Sequence, residues 1–322
     1  MTSSSSHNNP PSMEQETKPA PLTLPEPYYH DEDAGITIYC ADCRDILPLL
    51  DPVDMVFTDP PYGHNNNNNG DLISRWEAAL GRGDYIPERD NRPIANDGIE
   101  ANELFEQFII IAKDKLKQSG SCCCCCCGGG GPDPMFARWS LILDKYLTFK
   151  QMVVWDKGPM GMGWHYRRSY ETILVAHKGQ TCNWYDETNK IENIIRPNKN
   201  YAPKIIPSKE QHPTEKPVGL ATHFIKLHSK DGDTILDPFM GSGTTLVAAL
   251  QLGRKAIGIG IELKYCEIAV RRLQQGVLNF STQLDSKEAL SHEKPSPSLD
   301  DKNHTGQLDL LDNEHRRGVE NI

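Results

Sequence analysis

The stretch Thr234-Ile235-Leu236-Asp237-Pro238-Phe239-Met240-Gly241-Ser242-Gly243-Thr244-Thr245-Leu246-Val247-Ala248-Ala249-Leu250-Gln251 decides the fold. Its apolar start, 234–236, reads as a short buried strand. An acid, a proline and a Gly-Ser-Gly turn close that strand, and a helical pattern over 244–251 follows at once. Gly241 and Gly243 let a ligand approach the backbone closely. The helix start offers unpaired N–H groups to a carboxylate or phosphate. The loop is not a Walker A motif, because no Gly-Lys-Ser/Thr follows. It is not the full dinucleotide fingerprint either, because Leu246 stands at the third glycine position. A carboxylate-bearing cofactor is the better fit, with a bare strand-to-helix turn as the plainer alternative.

Working outward, the same alternation recurs. A strand is predicted over 256–261 and a helix over 265–274. Upstream, strands are predicted over 54–58, 149–155 and 172–176. Helices are predicted over 103–116, 134–146 and 218–227, the second with Asp133 as N-cap and Pro134 at its first position. Strands alternating with helices imply an α/β fold with a parallel sheet covered by helices. The run Cys122 to Gly131 (CCCCCCGGGG) follows a helix and a Ser-Gly turn, where such a fold places its next core strand. Successive strand residues face opposite ways, so six contiguous cysteines cannot converge on one metal. A buried strand with free thiols is expected, and no metal.

A second stretch carries chemistry. Asp59-Pro60-Pro61-Tyr62 follows the strand at 54–58 directly. An acid at the carboxyl end of a parallel strand lies where α/β folds place their sites. The prolines stiffen the turn and leave carbonyls without local partners. Acceptors in one plane with an aromatic face suit an amino group on a flat heterocycle. A Pro-rich turn with a surface tyrosine is the structural alternative.

The chain has 322 residues, 38% hydrophobic and 24% charged, with no apolar run of membrane-spanning length. Residues 1–27 are polar, lack periodicity and show no signal-peptide pattern, so a disordered tail is expected. A second polar tail is expected over 279–322, leaving 28–278 as the folded domain. A cytoplasmic location, in a bacterial or phage-infected cell, is expected, and free thiols agree with a reducing compartment. The net charge of −10 argues against nucleic acid, but its distribution does not. Residues 138–230 hold 15 bases against 8 acids, a stretch compatible with a polyanion. Residues 64–99 read as an insertion loop.

Asp-Pro-Pro-Tyr followed much later by Asp-Pro-Phe-x-Gly-Ser-Gly-Thr-Thr resembles the signature pair of the amino-methylating DNA methyltransferases. The order of the two motifs resembles the permuted β group. Cys40-Ala41-Asp42-Cys43, Tyr170-Glu171-Thr172-Ile173-Leu174-Val175-Ala176 and His212-Pro213-Thr214-Glu215-Lys216-Pro217 extend the likeness over about 28–278. The resemblance implies a three-layer, Rossmann-like, circularly permuted fold with a mostly parallel sheet. It implies methyl transfer from S-adenosylmethionine to an exocyclic amino group of a flipped base in double-stranded DNA. Asp59 and the Pro60 carbonyl would then accept from the amino group, Pro61 would stiffen the turn, and Tyr62 would stack on the base. Asp237, Phe239, Gly241, Ser242 and Gly243 would form the cofactor loop, with Thr214 and Lys216 beside it and Asp42 reaching the adenine. An opening Asp is typical of the adenine-N6 enzymes, and Ser of the cytosine-N4 enzymes. Cytosine-N4 methylation, a catalytically impaired DNA-binding homologue and a nucleotide-binding oxidoreductase are the alternatives.

One position departs from the family pattern. The usual ribose-binding acid aligns with Gly260, and Glu262, two residues on, is expected to share its strand face and substitute for it. Replacing Gly260 by Glu is expected to tighten cofactor binding. Target recognition is expected in 180–211, with Lys190, Arg196, Lys199 and Lys204 as DNA contacts, helped by Arg167 and Arg168.

Overall fold

The structure, a computed structural model, describes residues 23–62, 100–127, 135–158, 169–196, 198 and 215–275. The chain divides into a unit over Met1–Leu278 and a second over Asn279–Ile322, and the second lies outside the described residues. So do nearly all of the 1–27 tail, the 64–99 loop, the N-cap at Asp133 and most of the second half of 180–211.

The strands β1 (Tyr29–Asp31), β2 (Ile36–Cys40), β3 (Val53–Thr58), β4 (Leu116–Cys127), β5 (Thr148–Asp156), β6 (Tyr170–His177), β7 (Ile194–Ile195), β8 (Thr234–Asp237) and β9 (Lys255–Gly260) form one sheet, ordered β1-β2-β9-β8-β3-β4-β6-β5-β7. The core run β2-β9-β8-β3-β4 is parallel throughout. β1 runs antiparallel to β2, and β6 runs antiparallel to both β4 and β5. The sheet is therefore mostly parallel, with helices as its crossovers.

Strand β4 shows how one sequence serves two helical layers. Cys123 and Cys125 join Met55, Phe57 and Ile235 on one face. That face is covered by α4 (Val218–His228), α5 (Thr244–Gln251) and α6 (263–275), through Phe224, Leu246 and Ala269. Cys122, Cys124 and Cys126 join Val56 and Leu236 on the opposite face. There α1 (Cys43–Ile46), α2 (Ala101–Lys115) and α3 (Met135–Tyr146) cover them, through Ile46, Phe108 and Trp139. The result is an α/β/α sandwich in which five consecutive cysteines, Cys122 to Cys126, act as small core side chains.

The elements differ from the sequence reading at several points, among them β4, β2 and β9. β4 begins at Leu116, because the Ser-Gly pair forms an irregularity within the strand rather than a turn before it. Ser119 takes φ 66, and an added Cβ at Gly120 would lie 2.7 Å from the Asp54 carbonyl oxygen. β2, whose alternating Ile36 and Ile38 are fully buried, was not expected. β9 ends at Gly260 rather than at 261, because Ala41 N–H takes the Gly260 carbonyl and the chain then turns into α6.

Candidate active site

The two motifs meet because β3 and β8 are parallel neighbours, paired Val56 to Leu236. Their carboxyl ends lie side by side, which brings Asp59 and Asp237 to one edge of the sheet. The link is direct. Thr58 Oγ1 donates to Asp237 Oδ1 at 2.7 Å, across 179 residues of chain. Thr245 Oγ1 donates to Asp237 Oδ2 at 2.7 Å, and the Phe239 N–H reaches Oδ1 at 3.3 Å. Burial pushes the Asp237 carboxyl up to about 6, although those three donors oppose the shift. Its side chain thus ties β3, β8 and α5 together, and builds the cofactor loop from beneath.

The loop itself turns at Gly243, the N-cap of α5, where φ is 75. An added Cβ there would lie 2.6 Å from Ala269 Cβ, so glycine is required both by the turn and by the contact with α6. A pair of residues not expected from sequence clamps this loop. Ser242 Oγ donates to Glu215 Oε2 at 3.0 Å. Arg272, on α6, donates to the Ser242 carbonyl at 2.6 Å and pairs with Glu215 at 3.4 Å. Glu215 lies inside the quoted 212–217 motif, but nothing in the sequence distinguishes Arg272 from other helix-surface bases. Phe239 packs edge-on against Phe108 at 5.2 Å, and so anchors the loop to α2.

The Asp59-Pro60-Pro61-Tyr62 turn is organised by a buried lysine. Lys216 Nζ donates to Asp59 Oδ2 at 2.6 Å and to the Tyr62 hydroxyl at 3.0 Å. The Tyr62 hydroxyl also donates to Asp59 Oδ1. Lys216 faces Glu171 Oε2 at 3.4 Å, and Lys157 donates to Glu171 Oε1 at 2.7 Å. Burial disfavours the Lys216 ammonium, but Asp59 and then Glu171 outweigh it and hold the group above the usual lysine range. Burial also opposes the Glu171 charge, yet Lys216 and Lys157 hold that carboxyl below its ordinary value. Tyr62 is pushed well up by burial and by Asp59. Pro60 is buried, Pro61 half-buried.

Lys216 lies beside the glycine loop through its carbonyl, which accepts from Thr244 Oγ1 at 3.3 Å, while its side chain points to Asp59. The physical reason is charge: two carboxylates flank the ammonium on the β3 side. Asp42 N-caps α1, and both its oxygens accept from Arg44, at 2.9 and 2.6 Å among others, which lowers its carboxyl. Glu262 does not share a strand face with Gly260, because β9 has already ended, and it pairs with Lys264 at 2.7 Å. A Cβ on Gly260 would lie 3.0 Å from both Cys266 Sγ and the Met240 carbonyl. A side chain there requires Cys266 or the Met240 carbonyl to give by a few tenths of an ångström, and that give decides the effect of Gly260→Glu. Thr214, Arg167, Arg168, Lys199 and Lys204 lie outside the described residues. Lys190 and Arg196 are exposed, and Arg196 pairs with Glu192 at 3.3 Å. Ile194–Ile195 of the 180–211 region adds an edge strand to β5. No helix among the described residues is long and apolar enough to cross a membrane.

An acid at the end of one strand beside a glycine loop at the end of its parallel neighbour lies where open α/β sheets bind their ligands. Comparison with known proteins specifies the group. The sequence model of the N6/N4 family described as DNA methylase matches residues 53–271. Type II methyltransferase M2.LlaDCHI of Lactococcus lactis subsp. cremoris is 30% identical over 272 residues, covering 79% of this chain and 94% of that protein. DNA adenine methyltransferase YhdJ of Escherichia coli (strain K12) is 30% identical over 249 residues, covering 69% and 76%. Among solved structures, the PvuII DNA methyltransferase (cytosine-N4-specific) superposes with a TM-score of 0.55 at 15% identity, over 78% of this chain and 88% of that one. That likeness concerns the fold. The chain belongs to the N6/N4 DNA methylase family.

S-adenosylmethionine is the methyl donor this family implies, and the loop fits its amino-acid end. The N-cap of α5 is a glycine, which has no side-chain oxygen for the first-turn N–H groups and leaves them to an acceptor from outside the helix. At the ribose end, the acid of the family pattern has no counterpart at Gly260.

Proposed function

We propose that this chain methylates the N6 amino group of adenine in double-stranded DNA, acting on a base turned out of the helix. The observation that carries the reading is Asp59 at the end of β3, set beside the glycine loop of β8 by the Thr58–Asp237 bond at 2.7 Å. The names of the relatives from Lactococcus lactis and Escherichia coli support methyl transfer to DNA, and the second supports adenine.

S-adenosylmethionine supplies a methyl group on a sulfonium, activated for displacement. The protein's part is to hold the amino nitrogen in line with it. An amino group conjugated with a purine ring is a poor nucleophile. Asp59 and the Pro60 carbonyl, accepting from its two N–H bonds, direct the lone pair away from the ring and toward the methyl carbon. Transfer would leave one proton too many on the nitrogen, and an Asp59 carboxylate oxygen, accepting from that N–H, is placed to take it and pass it to solvent. Tyr62 covers the base face. The first-turn N–H groups of α5 and the loop at 241–243 hold the cofactor carboxylate. No nucleophilic side chain is required, so the cysteines of β4 stay in the core.

Long-read sequencing of host DNA after expression of the wild type and of Asp59→Ala tests the reading. The expected result is an N6-methyladenine mark at a fixed sequence, absent with Asp59→Ala. An Asp59-dependent N4-methylcytosine mark would overturn the base, and no mark from the wild type would overturn the activity.

A further inference from the structure

Each oxygen of Asp59 already accepts one hydrogen bond: Oδ1 from Tyr62 and Oδ2 from the Lys216 ammonium at 2.6 Å. An amino group arriving at Asp59 shares the carboxylate with these donors or displaces one of them. Lys216 is itself enclosed, with its side chain 9% exposed and its ammonium also over the Tyr62 ring, 5.3 Å from the centroid. Among the described residues it has one other anion within reach. Glu171 Oε2, ion-paired to it at 3.4 Å, is buried and has no hydrogen-bond partner among those residues, while its sister oxygen is held by Lys157. A buried carboxylate oxygen without a hydrogen bond is costly to maintain. A donor that takes it up in another state would relieve that cost.

We propose that Lys216 is a placeholder for the target amino group, donating to Asp59 while the site is empty and moving onto Glu171 Oε2 when the base enters. The inference rests on the function proposed above and adds two positioning residues to it, Lys216 and Glu171. The move needs only a rotation of the terminal side-chain bonds, because Nζ already lies between the two carboxylates. The positive charge never leaves the pocket, so Asp59 keeps a cation nearby in both states. An exchange of this kind holds Asp59 and Tyr62 in order before the base arrives. It also makes entry of the base a swap of one charge-assisted hydrogen bond for another rather than the opening of an unpaired charge.

The test measures initial rates of tritiated methyl transfer from S-adenosylmethionine to unmethylated host genomic DNA. The proteins are the wild type, Glu171→Gln, Lys216→Met and the double variant, each with its melting temperature. With the receiving anion removed, Lys216 stays on Asp59, and Glu171→Gln is expected to slow transfer roughly 10- to 100-fold, the worth of a hydrogen bond to a charged group. Lys216→Met is expected to slow it only a few-fold, because it leaves Asp59 open to the amino group while Lys157 still pairs with Glu171. The double variant is expected to recover to the rate of Lys216→Met. Recovery by a second loss is the readout that a merely structural pair would not produce. A double variant as slow as Glu171→Gln or slower overturns the proposal, as does a wild-type rate for Glu171→Gln. If Glu171→Gln melts below the assay temperature, Lys216→Arg asks the same question. A guanidinium bridging both carboxylates keeps the charge but does not vacate Asp59, so about a tenfold loss at unchanged melting temperature is expected, and a wild-type rate overturns the proposal. A wild type that transfers nothing to DNA removes the function itself, an outcome distinct from every one of these.

Discussion

Asp237→Asn is expected to make the protein more stable at neutral pH and to remove part of its pH dependence. Asp237 is 6% exposed, and burial raises its carboxyl from 3.8 to about 6. The folded protein therefore holds a proton on this group more tightly than the unfolded chain does. Below the unfolded value both states are protonated and the group costs nothing. Between about 4 and 6 the unfolded chain loses its proton first, and stability falls as pH rises through the folded value. A shift of about two units corresponds to about 3 kcal/mol once the carboxylate is fully charged. Asparagine cannot ionise, but its oxygen can still accept from Thr58 and from the Phe239 N–H, and its NH2 can donate to Thr245 Oγ1. Urea unfolding at a series of pH values measures the difference between variant and wild type, in which every other titrating group cancels. That difference is expected to be small near pH 4 and to grow to about 3 kcal/mol in favour of the variant by pH 7. A difference that stays flat across the series, or that turns against the variant as pH rises, would refute the reasoning.

Gly243→Ala is expected to destabilise by about 2–4 kcal/mol, from a left-handed backbone and a methyl set against Ala269. Its urea midpoint checks this, and a loss under 1 kcal/mol would show that α6 gives way, since overpacking normally costs about that or more. Cys122 to Cys126 are expected to resist alkylation in the folded protein and to react only in denaturant, whereas exposed Cys40 reacts at once. Peptide mapping after timed alkylation distinguishes them, and early labelling anywhere in Cys122 to Cys126 would contradict a closed core.

What could be read without the structure was local. The DMVFT strand ends in Asp59-Pro60-Pro61, and the TIL strand ends in a proline and two glycines. An apolar run stopped by such residues marks a strand end wherever it folds. The alternation of β4 was legible for the same reason, because a period of two needs no partner to define it. The extent of β9 was not. Ile261 continues the apolar pattern, and only the pairing of Gly260 with Cys40 and the turn into α6 end the strand.

Sequence alone thus determined which residues end the two central strands, and through their resemblance to a family, what chemistry those ends serve. The tertiary structure decided which side chains face one another there. Thr58 meets Asp237, Arg272 meets Ser242, and Lys216 meets Asp59. The reason is physical. Strand ends and turns follow from the chemistry of adjacent residues, whereas a hydrogen bond across 179 residues of chain, as between Thr58 and Asp237, exists only because two parallel strands pack side by side.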